Sequence, residues 1–531
     1  MEVVDVWTGQ RASALQKALR LTNERFAERL GTAVRTVAKW HANPDAQPTP
    51  EMQEALDTVL FEASEQAQAR FGLMVAAENA QPAGSTPEVT HDADLTAAER
   101  RLNADPSIGA ALEWLDRQAD WAPGTARQRV AAKLVSLNPS ALHDRGQRRS
   151  RVNRDQLASA LRDFYTDLPP GYGTYSAKHD GGRHVRTSVL TCADWLDLAC
   201  PLDPEHDRAA LASLSAEDGG EVDATGLDAA AQRLAETLET NTRLVDAALY
   251  RLVDIDIGRG HLAGAFGITS FVQYALTMDL LEGEVVDALA DGRGLTGENL
   301  PLRRRYLPDT RVVLDVGGRT CAGGALALTA IARPAGPRRA QPDYLLLVQE
   351  RGGRVLNAAR RLAVIPKCFH EPLADYREDT QIGTTLRREM EEELFGRDDV
   401  DGTISAQRHA DPMHPARLSA PMRWLVEYPD AWALECTGFG INLVSGNYEY
   451  PSLVVIHDET FWTEHGGSIA ANWESDSLKQ YSSLDRDLLG ELIDDQAWSN
   501  EGLFAFLQGL RRLNELGGER INAPTVEWEL E

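Results

Sequence analysis

Residues 21–41 read LTNERFAERLGTAVRTVAKWH, a spacing that predicts two short amphipathic helices joined by a turn at Gly31. In the first helix, Phe26 and Leu30 lie one turn apart, and Ala27 is small enough to let another helix cross closely. Gly31 supplies the bend, because glycine takes a left-handed backbone conformation without strain. In the second helix, Val34, Val37, Ala38 and His41 share one face at helical spacing, while Arg35, Thr36 and Lys39 point the other way. A helix anchored by valines and showing Arg, Thr and Lys outward can lie in a DNA major groove. A plain helical hairpin with solvated basic residues has the same pattern, so charge decides between the two. From Gln10 to Asn43 there are seven Lys and Arg against two Glu, a local +5 on a chain of net charge −27. A basic island on so acidic a chain is what contact with phosphates requires.

These residues also carry a family likeness. Ala27, Leu30, Gly31, Val37 and Trp40, with Arg35 and Lys39 among them, resemble the XRE-type (phage-repressor-like) helix-turn-helix family. The resemblance implies double-stranded DNA as the partner and Thr22, Asn23, Arg35, Thr36 and Lys39 as DNA-binding residues. Asn23 stands where the family often has Gln.

Around this pair, Ala12–Leu19 reads as a first helix with Leu15 and Leu19 inward. Glu51–Leu73 reads as a long one on Met52, Leu56, Val59, Leu60 and Ala63. Its later part, up to Phe71, either offers a dimer surface or closes the small core. Because one such module covers one half-site, a homodimer is expected. The head then spans 1–75, and a Pro, Gly, Ser and Thr-rich stretch at 76–94 reads as a flexible linker.

At 531 residues the chain exceeds one core. No apolar run is long enough to span a bilayer, and MEVVDVWTGQ lacks a basic segment followed by an apolar one, so a cytoplasmic protein with no membrane partner is expected. Cys192, Cys200, Cys321, Cys368 and Cys436 lack ligand-like grouping and read as reduced thiols.

Residues 95–304 read as an α-rich middle domain. Helices are predicted at Ile108–Gln118, Thr125–Leu137, Arg154–Tyr165, Leu227–Leu252 and Phe271–Ala290, with a loop at 168–183, a strand at Val185–Thr191 and an acidic loop at 203–226. Arg145, Arg148, Arg149, Arg151 and Arg154 form a basic cluster, read either as a phosphate contact or as a solvated loop. His179, His184, His206 and His261 are scattered without metal-ligand spacing.

From 305 to 531 the periodicity shortens. Strands are predicted at Val312–Val316, Gly324–Ala332, Tyr344–Gln349, Leu362–Ile365 and Leu453–His457, closed by helices at Leu484–Leu492 and Gly502–Leu516. Within this region Leu386–Gly396 reads LRREMEEELFG. Leu386, Met390 and Leu394 fall on a buried face, and Glu389, Glu392 and Glu393 converge on another. Clustered carboxylates repel one another unless a cation such as Mg²⁺ or Mn²⁺ neutralises them. Arg388 can pair with one of them.

This stretch resembles the second half of the Nudix box, Arg-Glu-apolar-x-Glu-Glu. The likeness implies a Nudix-like mixed α/β domain, with Glu389, Glu392 and Glu393 as metal ligands and Glu392 and Glu393 as catalytic if the domain is active. The first half departs from the pattern. The box's opening glycine falls on Ala374 and its first glutamate on Thr380, two glycines are replaced by Lys367 and Cys368, and Phe395 takes a later glycine. Glu371 or Glu378 could substitute.

The expectation is therefore a multidomain α and α/β chain: an all-α helix-turn-helix head, an α-rich middle domain and a Nudix-like domain. Its function reads as transcription regulation with sensing of a small-molecule or nucleotide-type ligand. The alternatives are a Mg²⁺-dependent Nudix pyrophosphohydrolase of nucleoside-diphosphate compounds and a protein-interaction scaffold.

Overall fold

The computed structural model describes residues 7–19, 21–42, 46, 48–61, 63, 71, 87–105, 107–216, 222–240, 242, 244–337, 339–352, 360–373, 375–396, 413–469 and 475–531. The chain divides into two compact units, Met1–Ala93 and Asp94–Glu531. Of the expected linker, residues 76–86 lie outside the described residues, while 87–94 fall in a helix, Pro87–Ala104. No described helix is long and apolar enough to cross a membrane.

The first unit holds α1 (Gly9–Leu19), α2 (Asn23–Leu30), α3 (Val34–Ala42) and α4 (Pro50–Phe61). They close on a core of Leu15, Phe26, Ala27, Leu30, Val37, Trp40, Leu56 and Val59. Phe71 belongs to this core and stacks on Trp7, ring centroids 5.6 Å apart. Thus Phe71 closes the unit's own interior, one of its two expected roles; residues 64–70 lie outside the described residues.

The second unit is built on a twelve-stranded mixed sheet. Its early strands are β1 (Tyr172–His179), β2 (Arg183–Cys192) and β3 (Leu196–Pro201). β4 (Asp207–Ala216), β5 (Ala248–Gly258) and β6 (His261–Ser270) form a separate three-stranded sheet. The large sheet continues with β7 (Gly323–Arg333), β8 (Asp343–Arg351), β9 (Leu362–Val364) and β10 (Lys367–Phe369). It is completed by β11 (Trp432–Gly438), β12 (Gly440–Asn442), β13 (Tyr448–Ile456), β14 (Ser475–Ser482) and β15 (Val526–Leu530). Its main path runs β14-β8-β7-β13-β12-β2-β1-β15.

β7 runs parallel to β13 and antiparallel to β8. Its side chains alternate between two interiors, as a strand's period of two requires. Ala325, Ala327 and Ile331 join a core with Ile382, Leu386 and Met390. Leu326, Leu328 and Ala330 join a second core with Leu503, Phe504, Leu507 and Leu510 of the helix Asn500–Leu516. The sheet is therefore covered on both faces, which explains why β7 and β8 are apolar almost throughout.

Several sequence expectations need correction. The strand pairings β2–β12, β3–β11 and β1–β15 knit residues 172–201 into the same sheet as 432–530, so position 304 does not separate two sheets. The 168–183 loop contains β1, and the acidic excursion contains β4. Val312–Val316 is not a strand: Asp309 caps a short helix, Thr310–Leu314, accepting from the Val312 amide at 3.0 Å. The helix expected over Leu227–Leu252 ends at Thr240, and its tail enters β5. Phe271–Ala290 breaks into Phe271–Ala275 and Leu280–Ala290.

Candidate functional site

In the first unit, α2 and α3 are held by local chemistry at each end of α2. Thr22 caps α2 and accepts from the Arg25 amide at 3.3 Å. At the other end Gly31 has φ +65°, and the Gly31 and Thr32 amides donate to Glu28 and Ala27 carbonyls at 3.2 and 2.9 Å. This paired closure satisfies two carbonyls that a helix end would otherwise leave open.

Gln16, buried on α1, joins the parts. Its Nε2 donates to the Leu21 carbonyl at 3.0 Å and to Asn23 Oδ1 at 2.9 Å. Its Oε1 lies 2.7 Å from His41 Nε2, so His41 carries its proton on that nitrogen. Burial, then the Lys17 charge, lowers the His41 pKa and favours the neutral ring. The sequence reading missed Gln16, since one glutamine in a helix gives no periodic signal.

α3 is rotated from the expected orientation. Val37 and Trp40 are buried, whereas Val34 is 41% exposed and Ala38 and His41 are exposed as well. Tryptophan at position 40 offers more apolar area than alanine at 38 and turns the helix toward itself. The outer face carries Val34, Arg35, Ala38 and Lys39, with Arg35 and Lys39 one turn apart. Thr36 is half-buried, Thr22 is exposed, and Asn23 is half-buried beside Gln16.

In the second unit, the helix Ile382–Glu389 runs into a π-helical turn, Met390–Leu394. The wider turn alters the direction of every side chain after Glu389, so α-helical spacing no longer describes the acidic residues. Leu386, Met390 and Leu394 are buried as expected, but so are Glu389, Glu391, Glu392 and Glu393. Arg388 donates to Glu389 Oε1 at 2.9 Å and to Glu371 Oε1 at 3.2 Å. Burial lowers the Arg388 pKa, but the charges of Glu371 and Glu389 outweigh it and the group sits above its ordinary value. Glu393 Oε2 accepts from the Lys367 amide at 2.7 Å, and its other oxygen lies 3.8 Å from Arg351.

Cations of the chain itself therefore stand beside Glu389 and Glu393. Among the described residues no group of three or more His, Cys, Asp or Glu is arranged to hold a metal ion. The trio Glu389, Glu392 and Glu393, as arranged, does not fit Mg²⁺ or Mn²⁺. Burial, then Glu389, pushes the Cys368 thiol well above its ordinary pKa, so it is a poor nucleophile.

Lys367 and Cys368, which stand where the box has two glycines, lie on a strand that packs closely on a glycine of β7. β10 pairs with β7 in the register Cys368 to Ala325 and Phe369 to Gly324. A Cβ on Gly324 would stand 1.8 Å from the Cys368 carbonyl oxygen. Close approach is thus provided by β7. Thr380, at the box's glutamate position, is buried and donates to the Ala209 and Arg377 carbonyls at 3.1 and 2.6 Å. Ala374 lies outside the described residues. Glu378 opens a short 3₁₀ turn, Glu378–Thr380.

Most of the basic cluster is paired with carboxylates of the chain itself. Arg145 pairs with Glu236, Arg148 with Asp291 and Arg149 with Asp287, while Arg154 is buried and Arg151 exposed. His179, His184, His206 and His261 each meet one carboxylate, at 2.8 to 3.1 Å. No family model matches this chain, and no curated protein matches it.

Proposed function

We propose that the chain is a sequence-specific DNA-binding transcription regulator with an XRE-type helix-turn-helix head. Its body, Nudix-like over residues 305–531, senses a nucleotide-type or other small ligand. The observation that carries the reading is the outer face of α3, where Arg35 and Lys39 stand one turn apart, opposite buried Val37 and Trp40. Val34 and Ala38 lie beside them on the same exposed face, small enough to let the helix approach base edges and able to meet a thymine methyl. The bond from Gln16 engages Asn23 Oδ1, which leaves the donor side of that amide to face a phosphate at the start of α2.

For the body, the sheet with helices on both faces supports a Nudix-like arrangement. The ion pairs of Arg388 favour sensing over hydrolysis. A divalent cation would have to displace Arg388 from Glu389 before the three glutamates could share it. The proposed active form is a homodimer on half-sites about one helical turn apart, roughly 34 Å.

The test is selection of binding sites from random duplex DNA by the full chain, followed by gel shift with and without nucleotides. A recurrent two-fold motif is expected. Recovery of no motif, with uniform weak binding to every duplex, defeats the reading.

A further inference from the structure

The second unit contains a cavity of about 710 Å³, within the usual range for small-ligand sites, roughly 300–1,000 Å³. Its walls come from the helices Pro139–Arg149 and Leu280–Ala290, the start of Arg154–Phe164, residues 360–361 and the first turn of Asn500–Leu516. Glu389, Glu392 and Glu393 are not among its lining residues.

Most charges on the wall are paired. Arg149 donates to both oxygens of Asp287, Arg233 pairs with Asp279, and Glu501 accepts from Lys367 Nζ at 2.6 Å. Arg154 and Arg361 differ. Arg154 donates to the Arg186 carbonyl and Arg361 to the Val152 carbonyl, and among the described residues neither forms an ion pair with a carboxylate. Arg154 is 1% exposed, lines the cavity, and its Nε has no hydrogen-bond partner among the described residues. Both arginines line the cavity, and the Val152 carbonyl that accepts from Arg361 lies two residues before Arg154 in the chain.

Taking the buried Arg154 and the half-buried Arg361 out of water with no carboxylate in ion-pair reach costs free energy, which the more distant charges of Glu282 and Glu501 offset only in part for Arg361. Burial pushes Arg154 down to about 10 and lowers Arg361 as well. An anion entering here would offset that cost, and a planar guanidinium fork suits phosphate oxygens. Asn442, Asn500 and Glu282 elsewhere on the wall can bond a polar body, and Leu142 and Val286 can pack a ring.

We propose that this cavity binds a phosphorylated small molecule of about nucleotide size, with its phosphate held by Arg154 and Arg361. This identifies the sensing site of the proposed regulator, and only its regulatory meaning rests on that reading. Binding itself is measured without DNA.

The experiment is calorimetric titration of the full chain, in buffer containing EDTA, with pyrophosphate, adenosine monophosphate, adenosine diphosphate and succinate. Saturable binding of at least one phosphorylated probe is expected, with succinate much weaker. Arg361→Gln should weaken binding at least tenfold, and Arg154→Lys, which keeps the charge but loses the fork, should weaken it as well. Arg311→Gln, at a side chain 88% exposed and outside the cavity, should leave binding unchanged. The melting temperature of Arg361→Gln should equal or exceed that of the wild type, because a desolvated cation is removed, so lost affinity would not reflect unfolding. No saturable binding by any phosphorylated probe, equal binding by Arg361→Gln, or preference for succinate would each overturn the proposal. Binding that leaves the selected DNA affinity unchanged would refute the sensor reading while leaving this site standing.

Discussion

Glu391 accepts two hydrogen bonds from Ser419, one from its amide and one from its hydroxyl, each at 2.6 Å. The same hydroxyl oxygen accepts from the Met422 amide at 3.3 Å and so caps the helix Ala420–Glu427. Glu391, the variable position of the acidic run, thus orients a helix cap from the π-helical turn.

The first prediction follows from that pairing. Glu391→Ala removes a buried charged acceptor and leaves two Ser419 donors to be satisfied elsewhere. Hydrogen bonds to charged groups are worth about 1.5–3 kcal/mol each. The variant should lose at least about 2 kcal/mol of stability in urea unfolding of the full chain, followed by a probe in the second unit. A loss below about 0.5 kcal/mol would mean the cap does not depend on Glu391.

The second prediction concerns α3. Arg35 lies on the exposed face, away from Val37 and Trp40. Arg35→Ala should cost about 1–3 kcal/mol in affinity for the selected operator, roughly 5- to 150-fold, and leave folding intact. Unchanged affinity in a gel-shift titration, with a wild-type circular dichroism spectrum, would remove Arg35 from the interface.

What the sequence made legible follows from the size of each signal. Gly324–Ala332 and Tyr344–Gln349 are long apolar runs free of Pro, buried on both faces, and their strands lie close to where expected. Leu227–Leu252 reads as one helix because Val245, Leu249 and Leu252 stand at i, i+4 and i+7 past Thr240. The alternation that marks β5, Val253, Asp254, Ile255, Asp256 and Ile257, starts late. Pairing of β2 with β12 joins Ile441 to Leu190 and Asn442 to Val189, 251 and 253 positions apart, which no local pattern reports. On α3, helical spacing identified the element but not its rotation, which depended on the bulk of Trp40. The π-helical turn after Glu389 left no mark in the sequence, so the acidic run was readable while the direction of its carboxylates was not.

The third prediction is a pH dependence. His370 is fully buried between Tyr250 and Phe266, ring centroids 4.4 and 4.8 Å away, with Nδ1 3.1 Å from the Tyr448 hydroxyl. Burial pushes its pKa down to about 3. A histidine exposed by unfolding takes up a proton near pH 6.5, whereas the folded one stays neutral down to about 3. The stability it contributes is present above pH 6.5 and is lost as pH falls toward 3, by roughly 1.4 kcal/mol per unit. Asp207 works in the opposite sense, since burial raises its carboxyl to about 6 and the folded state then gains protons first. The comparison must therefore be between wild type and His370→Gln. Their difference in unfolding free energy should shift by about 2 kcal/mol between pH 7 and pH 5, in favour of the variant at the lower pH. A constant difference would mean that His370 takes up its proton in the fold as it does in the unfolded chain.

The fourth prediction is dimerisation on DNA. Phe71 is consumed in the first unit's own core, so the contact between copies must use other surfaces. One head offers few base contacts, and two-fold sites match two-fold proteins. Light scattering of the complex with a selected operator should give two chains per duplex. One chain per duplex at saturation would contradict the proposed homodimer.

The last prediction separates sensing from hydrolysis. Hydrolysis of a nucleoside-diphosphate compound on this helix would need Glu389, Glu392 and Glu393 to share a divalent cation, and a placed water with a base beside it. Glu389 instead meets Arg388 at 2.9 Å, and Glu393 accepts from the Lys367 backbone while Arg351 stands 3.8 Å away. Each pairing lowers the negative charge offered to a cation, and rearranging them would leave Arg388 buried without its carboxylates, a change that typically costs about 3–5 kcal/mol. Wild-type protein incubated with Mg²⁺ or Mn²⁺ and a panel of nucleoside-diphosphate compounds should therefore release no product at rates near about 1 per second. Glu392→Gln combined with Glu393→Gln should leave that outcome, and operator binding by the head, unchanged. Turnover at ordinary enzyme rates in the wild type, abolished in the double variant, would overturn the sensor reading and make the hydrolase the protein's function.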